Sequence, residues 1–212
     1  MPPARLHRAA RTTRIFAVLV MALLVWSVAA RHLAVQRLAP ARVQGRVPDF
    51  TLTDEGGRTV TRASLAGSVW IADFIFTRCA GQCPLMSSQM AVLQRTFERL
   101  PGVRLVSFTV DPEHDTPPVL AAYAARYGAA QGRWRFLTGS REAVWRLARE
   151  GFRLGVGDGG STQEPITHSV RLILVDQAGD IRGTYDATDA AAVQRLRANV
   201  RRLLAHPARG TP

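Results

Sequence analysis

The 212 residues, less a short targeting segment, make one ordinary domain with enough chain to bury a core unaided, and two cysteines are too few for a disulfide scaffold. The net charge of +12 comes from arginine and lies unevenly: residues 1–46 hold eight arginines and no acid, residues 193–212 hold five and no acid, and between them 15 arginines face 16 acids. A near-neutral body excludes a nucleic-acid groove, which needs cations clustered on the folded surface, and a hydrophobic content of 47% excludes wholesale disorder.

Residues 1–14 are a basic tail carrying Arg5, Arg8, Arg11 and Arg14, followed by an uncharged apolar run from Ile15 to Ala30. Its 16 residues lie between the core of a signal peptide and a full membrane span. Ser27-Val28-Ala29 resembles a cleavage site, whereas Leu33 and Val35 continue the apolar character and Trp26 suits an interface. We read 15–32 as a single transmembrane anchor, with a cleaved signal peptide as the alternative, and 33–46 as a polar linker with Pro40 and Gly45. The short tail favours an N-terminus inside, which puts the domain in the periplasm or another extracytoplasmic space.

The domain spans 47–205, with a tail at 206–212. DFTLTDEGGRTVT alternates and turns at Glu55-Gly56-Gly57, which predicts a hairpin, and Val69 to Phe76 is the apolar run of a strand covered on both faces. Pro84 opens a helix striped by Met86, Met90, Leu93, Phe97 and Leu100, which Pro101-Gly102 stops. A second buried strand runs from Val103 to Val110. Thr116 and Pro117 start a helix through Tyr127, and Ser140 caps another ending near Gly151. The stretch from Gly155 to Gly160 is too glycine-rich to be regular. Ser169 to Asp176, a turn at Gln177 to Asp180 and Ile181 to Tyr185 form a hairpin, and Val193, Leu196, Val200 and Leu203 stripe a closing helix. The order of elements predicts a mixed α/β fold, a central sheet flanked by helices.

Cys79 and Cys83 stand where a buried strand meets a helix, the place where open α/β sheets build their sites. Helix amides there favour the thiolate, the form that attacks disulfides and binds metal, and a spacing of four lets both sulfurs face one side. A disulfide across so small a loop constrains the unfolded chain by only about 2 kcal/mol, which argues against a purely structural pair. His168 precedes the last hairpin. If its strand lies beside Val69 to Phe76, it approaches the thiols, and two thiolates with an imidazole suit copper, with zinc chemically possible. Asp73 sits inside the apolar strand, six residues before Cys79. Burial raises its pKa, and it reads either as a hydrogen-bonded anchor or as a group that transfers protons. Met86 and Met90 continue the core stripe, and Asp111, Glu113, His114 and Asp115 read as turn and cap. No small-molecule substrate is evident.

FIFTRCAGQCP, VSFTVDPEHDTP, WRFLTGS and THSVRLILVDQAGDIRGTYD together resemble the Sco/SenC family of membrane-anchored copper-binding proteins, over essentially all of residues 47–205. The resemblance implies a thioredoxin-like fold with an N-terminal hairpin extension and a single N-terminal transmembrane helix. It implies one copper, as Cu(I) or Cu(II), held by Cys79, Cys83 and His168, and a part in assembling the copper centre of cytochrome c oxidase. The partner is then that oxidase's copper-binding subunit or another copper protein, and the chain a metallochaperone rather than an enzyme. Ala80 and Thr167 depart from the family's common Pro and Asp at those positions, and neither removes a ligand. Thioredoxins resemble this chain in keeping a buried Asp six residues before the first cysteine, where it helps move protons. A thiol-disulfide oxidoreductase acting through Cys79 and Cys83, with Cys79 attacking, is therefore a rival reading. A copper or redox sensor is another.

Overall fold

The computed structural model describes residues 43–154 and 170–206, together with Val20, Met21, Leu23, Trp26 and Ser27. It divides into a unit over residues 1–40, whose five described residues are helical, and a unit over 41–212. Among the described residues no helix is long and apolar enough to cross a membrane. Most of the expected anchor at 15–32, the linker residues 33–42, the glycine-rich stretch, His168 and the tail residues 207–212 lie outside the described residues.

The second unit is built on one eight-stranded sheet whose strands lie in the order β1 (Gly45–Arg46), β8 (Asp180–Asp186), β7 (Arg171–Val175), β4 (Val69–Ile75), β5 (Val103–Thr109), β6 (Trp134–Thr138), β2 (Thr51–Asp54) and β3 (Thr59–Thr61). Its centre is β4 (Val69–Ile75), buried at all seven positions, as expected of a strand covered on both faces. It pairs in parallel with β5 (Val103–Thr109), which pairs in parallel with β6 (Trp134–Thr138). The crossovers are α1 (Gln82–Thr96) and α2 (Pro117–Arg126), and two right-handed crossovers stepping the same way lie on one face of the sheet. A hydrogen bond of 3.0 Å between Ser87 and Tyr123 joins the two helices. The predicted hairpin is β2 (Thr51–Asp54) and β3 (Thr59–Thr61), and β2 adds antiparallel to β6.

On the other side of β4 lie β7 (Arg171–Val175) and β8 (Asp180–Asp186), both added antiparallel. Helix α4 (Ala190–Ala205) packs on β8 and β4 and buries the predicted stripe of Val193, Leu196, Val200 and Leu203. Asp189 caps it, its side chain accepting from the Ala191 amide at 2.8 Å.

Alternation along β4 sends Trp70 and Phe74 to one face, where Phe74 stacks on its parallel neighbour Phe108 at 5.0 Å and both meet Phe152. Ile71, Asp73 and Ile75 point to the other face, toward α1. Met86, Met90 and Leu93 of α1 are buried there, each such side chain worth about 1.5–3 kcal/mol of apolar burial. The two methionines are core, as the stripe predicts.

Four local expectations are revised. Gly45–Arg46, read as the end of the linker, form a short strand β1 against β8. Helix α1 starts two residues before Pro84, which occupies its third position; the amide a proline lacks there has no partner inside a helix. Thr116 has the extended backbone of a cap but its side chain makes no capping bond, whereas Ser140 does accept from Ala143 at 3.2 Å. The helix Ser140 caps, α3 (Arg141–Arg146), passes into a π-helical turn at Leu147–Gly151.

Candidate thiol and metal site

At the carboxyl end of β4 the chain leaves the sheet, turns where the Cys79 amide donates to the Phe76 carbonyl at 3.2 Å, and enters α1 at Gln82. Cys79 is half-buried in that turn. Cys83, in the first turn of α1, is buried, and neither cysteine is in a disulfide. The two thiols are neighbours, since Cys79 acts on Cys83 both as a hydrogen-bonding group and as a charge.

Helix amides alone would favour a thiolate at Cys83, but burial overrides them. Desolvation raises the Cys83 thiol pKa well above its ordinary range, with smaller upward pushes from Cys79 and the Asp73 carboxylate and a partial offset from a hydrogen bond to the Phe76 backbone. The expected activation by the helix end therefore does not hold for Cys83. A soft cation that displaces the proton supplies the charge the site lacks, which couples metal capture to proton release.

Asp73 is fully buried, and its pKa is pushed up to about 7, chiefly by desolvation. Ser107, directly across on β5, and the Asp73 backbone pull it back down, and the Ser107 oxygen also accepts from Trp134 Nε1 at 2.9 Å. Among the described residues neither Asp73 oxygen has a partner within hydrogen-bonding distance. The carboxyl lies on the α1 side of the sheet, close enough to Cys83 to act on it electrostatically.

The loop carrying Cys79 is held from below by Asp115, which is buried. Thr77 donates to it twice, from its amide at 3.1 Å and its hydroxyl at 2.5 Å. Thr109 Oγ1 donates as well, and His114 Nδ1 stands 3.1 Å away. Arg78, next to Cys79, pairs with Asp111 at 2.7 Å. Asp111, His114 and Asp115 bring possible ligand atoms within 4.8 Å of one another, but these bonds already occupy the carboxylates. The group is a brace between two loops, in line with the turn reading. Thr77, Thr109 and Ser107 carried no signal in the sequence, because what distinguishes them is a partner far along the chain.

Strand β7 runs antiparallel to β4, with Ala72 opposite Ile173 and Trp70 opposite Val175. It therefore begins at the edge of the sheet where β4 ends and the cysteines sit. His168 lies two residues before Val170, the first described residue of that approach.

A three-stranded parallel core with antiparallel additions and a Cys-x-x-x-Cys pair at the strand-to-helix junction defines a thioredoxin-like protein with a dithiol site. The sequence pattern of the SCO1/SenC family matches residues 39–205, and the chain belongs to that family. It is 36% identical over 146 residues to the SCO1 protein homolog of Bacillus subtilis (strain 168), covering 68% of this chain and 75% of that one. It is 32% identical over 146 residues to a putative copper-binding protein of Stutzerimonas stutzeri, covering 65% and 67%. The solved structure of BsSco is described as that of a member of the Sco family of cytochrome c oxidase assembly proteins with a disulfide switch. It superposes with a TM-score of 0.65 at 31% identity, over 76% of this chain and 96% of its own.

Proposed function

We propose that this chain is a membrane-anchored copper metallochaperone of the extracytoplasmic space. It takes one copper on Cys79 and Cys83, with His168 as third ligand, and hands it to the copper-binding subunit of cytochrome c oxidase. The observation that carries this reading is the pair of neighbouring free thiols at the end of β4, one half-buried and one buried, in a chain of the SCO1/SenC family. Thiolate pairs are soft donors that select copper over the harder divalent ions, and an imidazole completes a three-ligand set without excluding either oxidation state. Copper is cargo here: the partly exposed Cys79 offers an incoming acceptor ligand a first point of exchange, while Cys83 retains the ion from below. The run Ile15 to Ala30 supplies the anchor. Reduced wild-type protein is expected to bind one copper per chain and Cys83→Ser none; full copper retention by Cys83→Ser would overturn the ligand assignment.

Asp73 favours a second activity at the same site, thiol-disulfide exchange. In that reaction Cys79 attacks a partner disulfide, one partner sulfur leaves as a thiolate, and Cys83 then attacks Cys79 to release the second. The partner gains two electrons and the chain is left with a Cys79–Cys83 disulfide. Cys83 must lose a proton that burial makes hard to remove, and in this reading the Asp73 carboxylate is the base that accepts it. Asp73→Asn is expected to slow exchange without changing copper content, and an unchanged exchange rate would remove Asp73 from the reaction.

A further inference from the structure

The end of the domain remote from the thiols is strongly basic. Helix α1 closes on Arg95, and the segment that follows adds Arg99 and Arg104. Arg133 reaches over the same end to donate to the carbonyls of Phe97, Glu98 and Leu100 at 2.9–3.1 Å. Helix α4 finishes there too. Gln177 Nε2 donates to the Leu203 carbonyl at 3.0 Å, and a Cβ on Gly102 would stand 3.1 Å from Leu204 Cδ2. Its last turns add Arg201 and Arg202. The only acid between Arg95 and Arg104 is Glu98, and none follows Asp189. The acids of the adjoining β7–β8 turn are matched already, Asp176 by Arg182 at 3.2 Å and Asp180 by Arg46 at 3.8 Å.

Strand β1 runs toward this same end, with the chain before Gly45 approaching along β8 from the thiol side. Gly45 and Arg46 pair with Ile181 and Asp180, and the Val47 amide donates to the Gly179 carbonyl at 3.0 Å. The seven residues of β4 separate that end from the cysteines, about 23 Å at the rise of a strand.

We propose that this basic end binds the anionic headgroups of phospholipids, so that the domain rests on the bilayer with its thiols turned outward. A protein partner would want apolar or aromatic anchors at the centre of its footprint. The last turns of α4 instead present Arg201 and Arg202 beside Ala198 and Ala205, Arg195 being paired with Asp189 at 3.6 Å, and none of the exposed large apolar side chains lies on α4 or the 98–104 segment. Diffuse positive charge without an anchor suits a headgroup surface, where each arginine contributes independently and salt weakens all of them. The inference rests on the proposed membrane anchor and is independent of the copper ligands.

The test places the photo-crosslinking residue benzoylphenylalanine at Ala205 in one variant and at Ala80, beside Cys79, in another. The full chain is put into nanodiscs of phosphatidylcholine with or without phosphatidylglycerol, and lipid adducts are measured by mass spectrometry. Adducts are expected at 205 and not at 80, in discs containing phosphatidylglycerol. They should fall about fivefold or more with each of Arg99→Glu and Arg201→Glu, in proteins whose circular dichroism matches wild type, and fall again in high salt. Equal adducts in both lipids, insensitivity to the charge reversals, or adducts at 80 would overturn the proposal. A chain that fails to travel with either disc refutes the anchor alone, and the same crosslinking with added phosphatidylglycerol vesicles then still decides the basic end.

Discussion

Asp73 is the residue whose environment is most at odds with its chemistry. Its carboxyl, ordinarily at 3.8, is held near 7 by burial, so the folded domain keeps a proton that the unfolded chain releases between those values. Stability must then fall as pH rises from about 4 and level off above about 7, a window of order 4 kcal/mol. Asp73→Asn removes that slope: its urea midpoint should match wild type near pH 4 and exceed it near pH 8. A variant with the wild-type pH dependence would place the titration on another group. The need for such a residue was legible, since an acid inside an apolar strand is conspicuous. Its surroundings were not, because Ser107 and Trp134 come near it only through the pairing of β4, β5 and β6. Cys83 shows the converse, for its position at a helix start was readable, while the burial that outweighs the helix amides depends on how α1 seats on the sheet.

Among the elements, the two loops at the carboxyl edge act as one through Asp115. Replacing it with alanine strands the Thr77 amide and hydroxyl, the Thr109 hydroxyl and the His114 ring around a buried void. Asp115→Ala should cost about 3 kcal/mol in urea unfolding and speed hydrogen exchange over residues 77–81, whereas Thr77→Val, which removes one hydroxyl bond, should cost about 1 kcal/mol. Equal stability in all three proteins would show that the brace carries no load. Strands β4 and β5 and helix α4 were legible because apolar runs and stripes extend over enough residues to set a period. Strand β1 was not: two residues held by backbone bonds to β8 have no pattern to read. The brace escaped for a related reason, since it joins Thr77 to an acid 38 residues away.

At the scale of the whole molecule, the folded domain is expected to be separable from the proposed anchor and to gain stability from the proposed copper. Removal of residues 1–32 should give a soluble, folded protein, since the strand at Gly45–Arg46 and everything packed on it remain; an insoluble product would place the boundary wrongly. An ion that binds only the folded state adds stability by mass action, about 2.7 kcal/mol at a hundredfold excess over its dissociation constant, or several degrees in Tm for a domain of this size. Reduced protein should show that gain with copper and lose it when Cys79 and Cys83 are oxidised to a disulfide. In the fold, Arg201 and Arg202 of the basic C-terminal stretch join Arg95, Arg99 and Arg104 of the near-neutral body at the end of the strands opposite the thiols.

The most direct test is an anaerobic copper titration of the reduced protein, followed by bound metal and thiolate-to-copper absorption, for wild type, Cys83→Ser and His168→Ala. One copper per chain is expected in wild type, none in Cys83→Ser and weakened binding in His168→Ala. Wild-type protein that takes up no specific copper while its disulfide exchange stays intact would contradict that expectation and leave thiol chemistry as the function of the site.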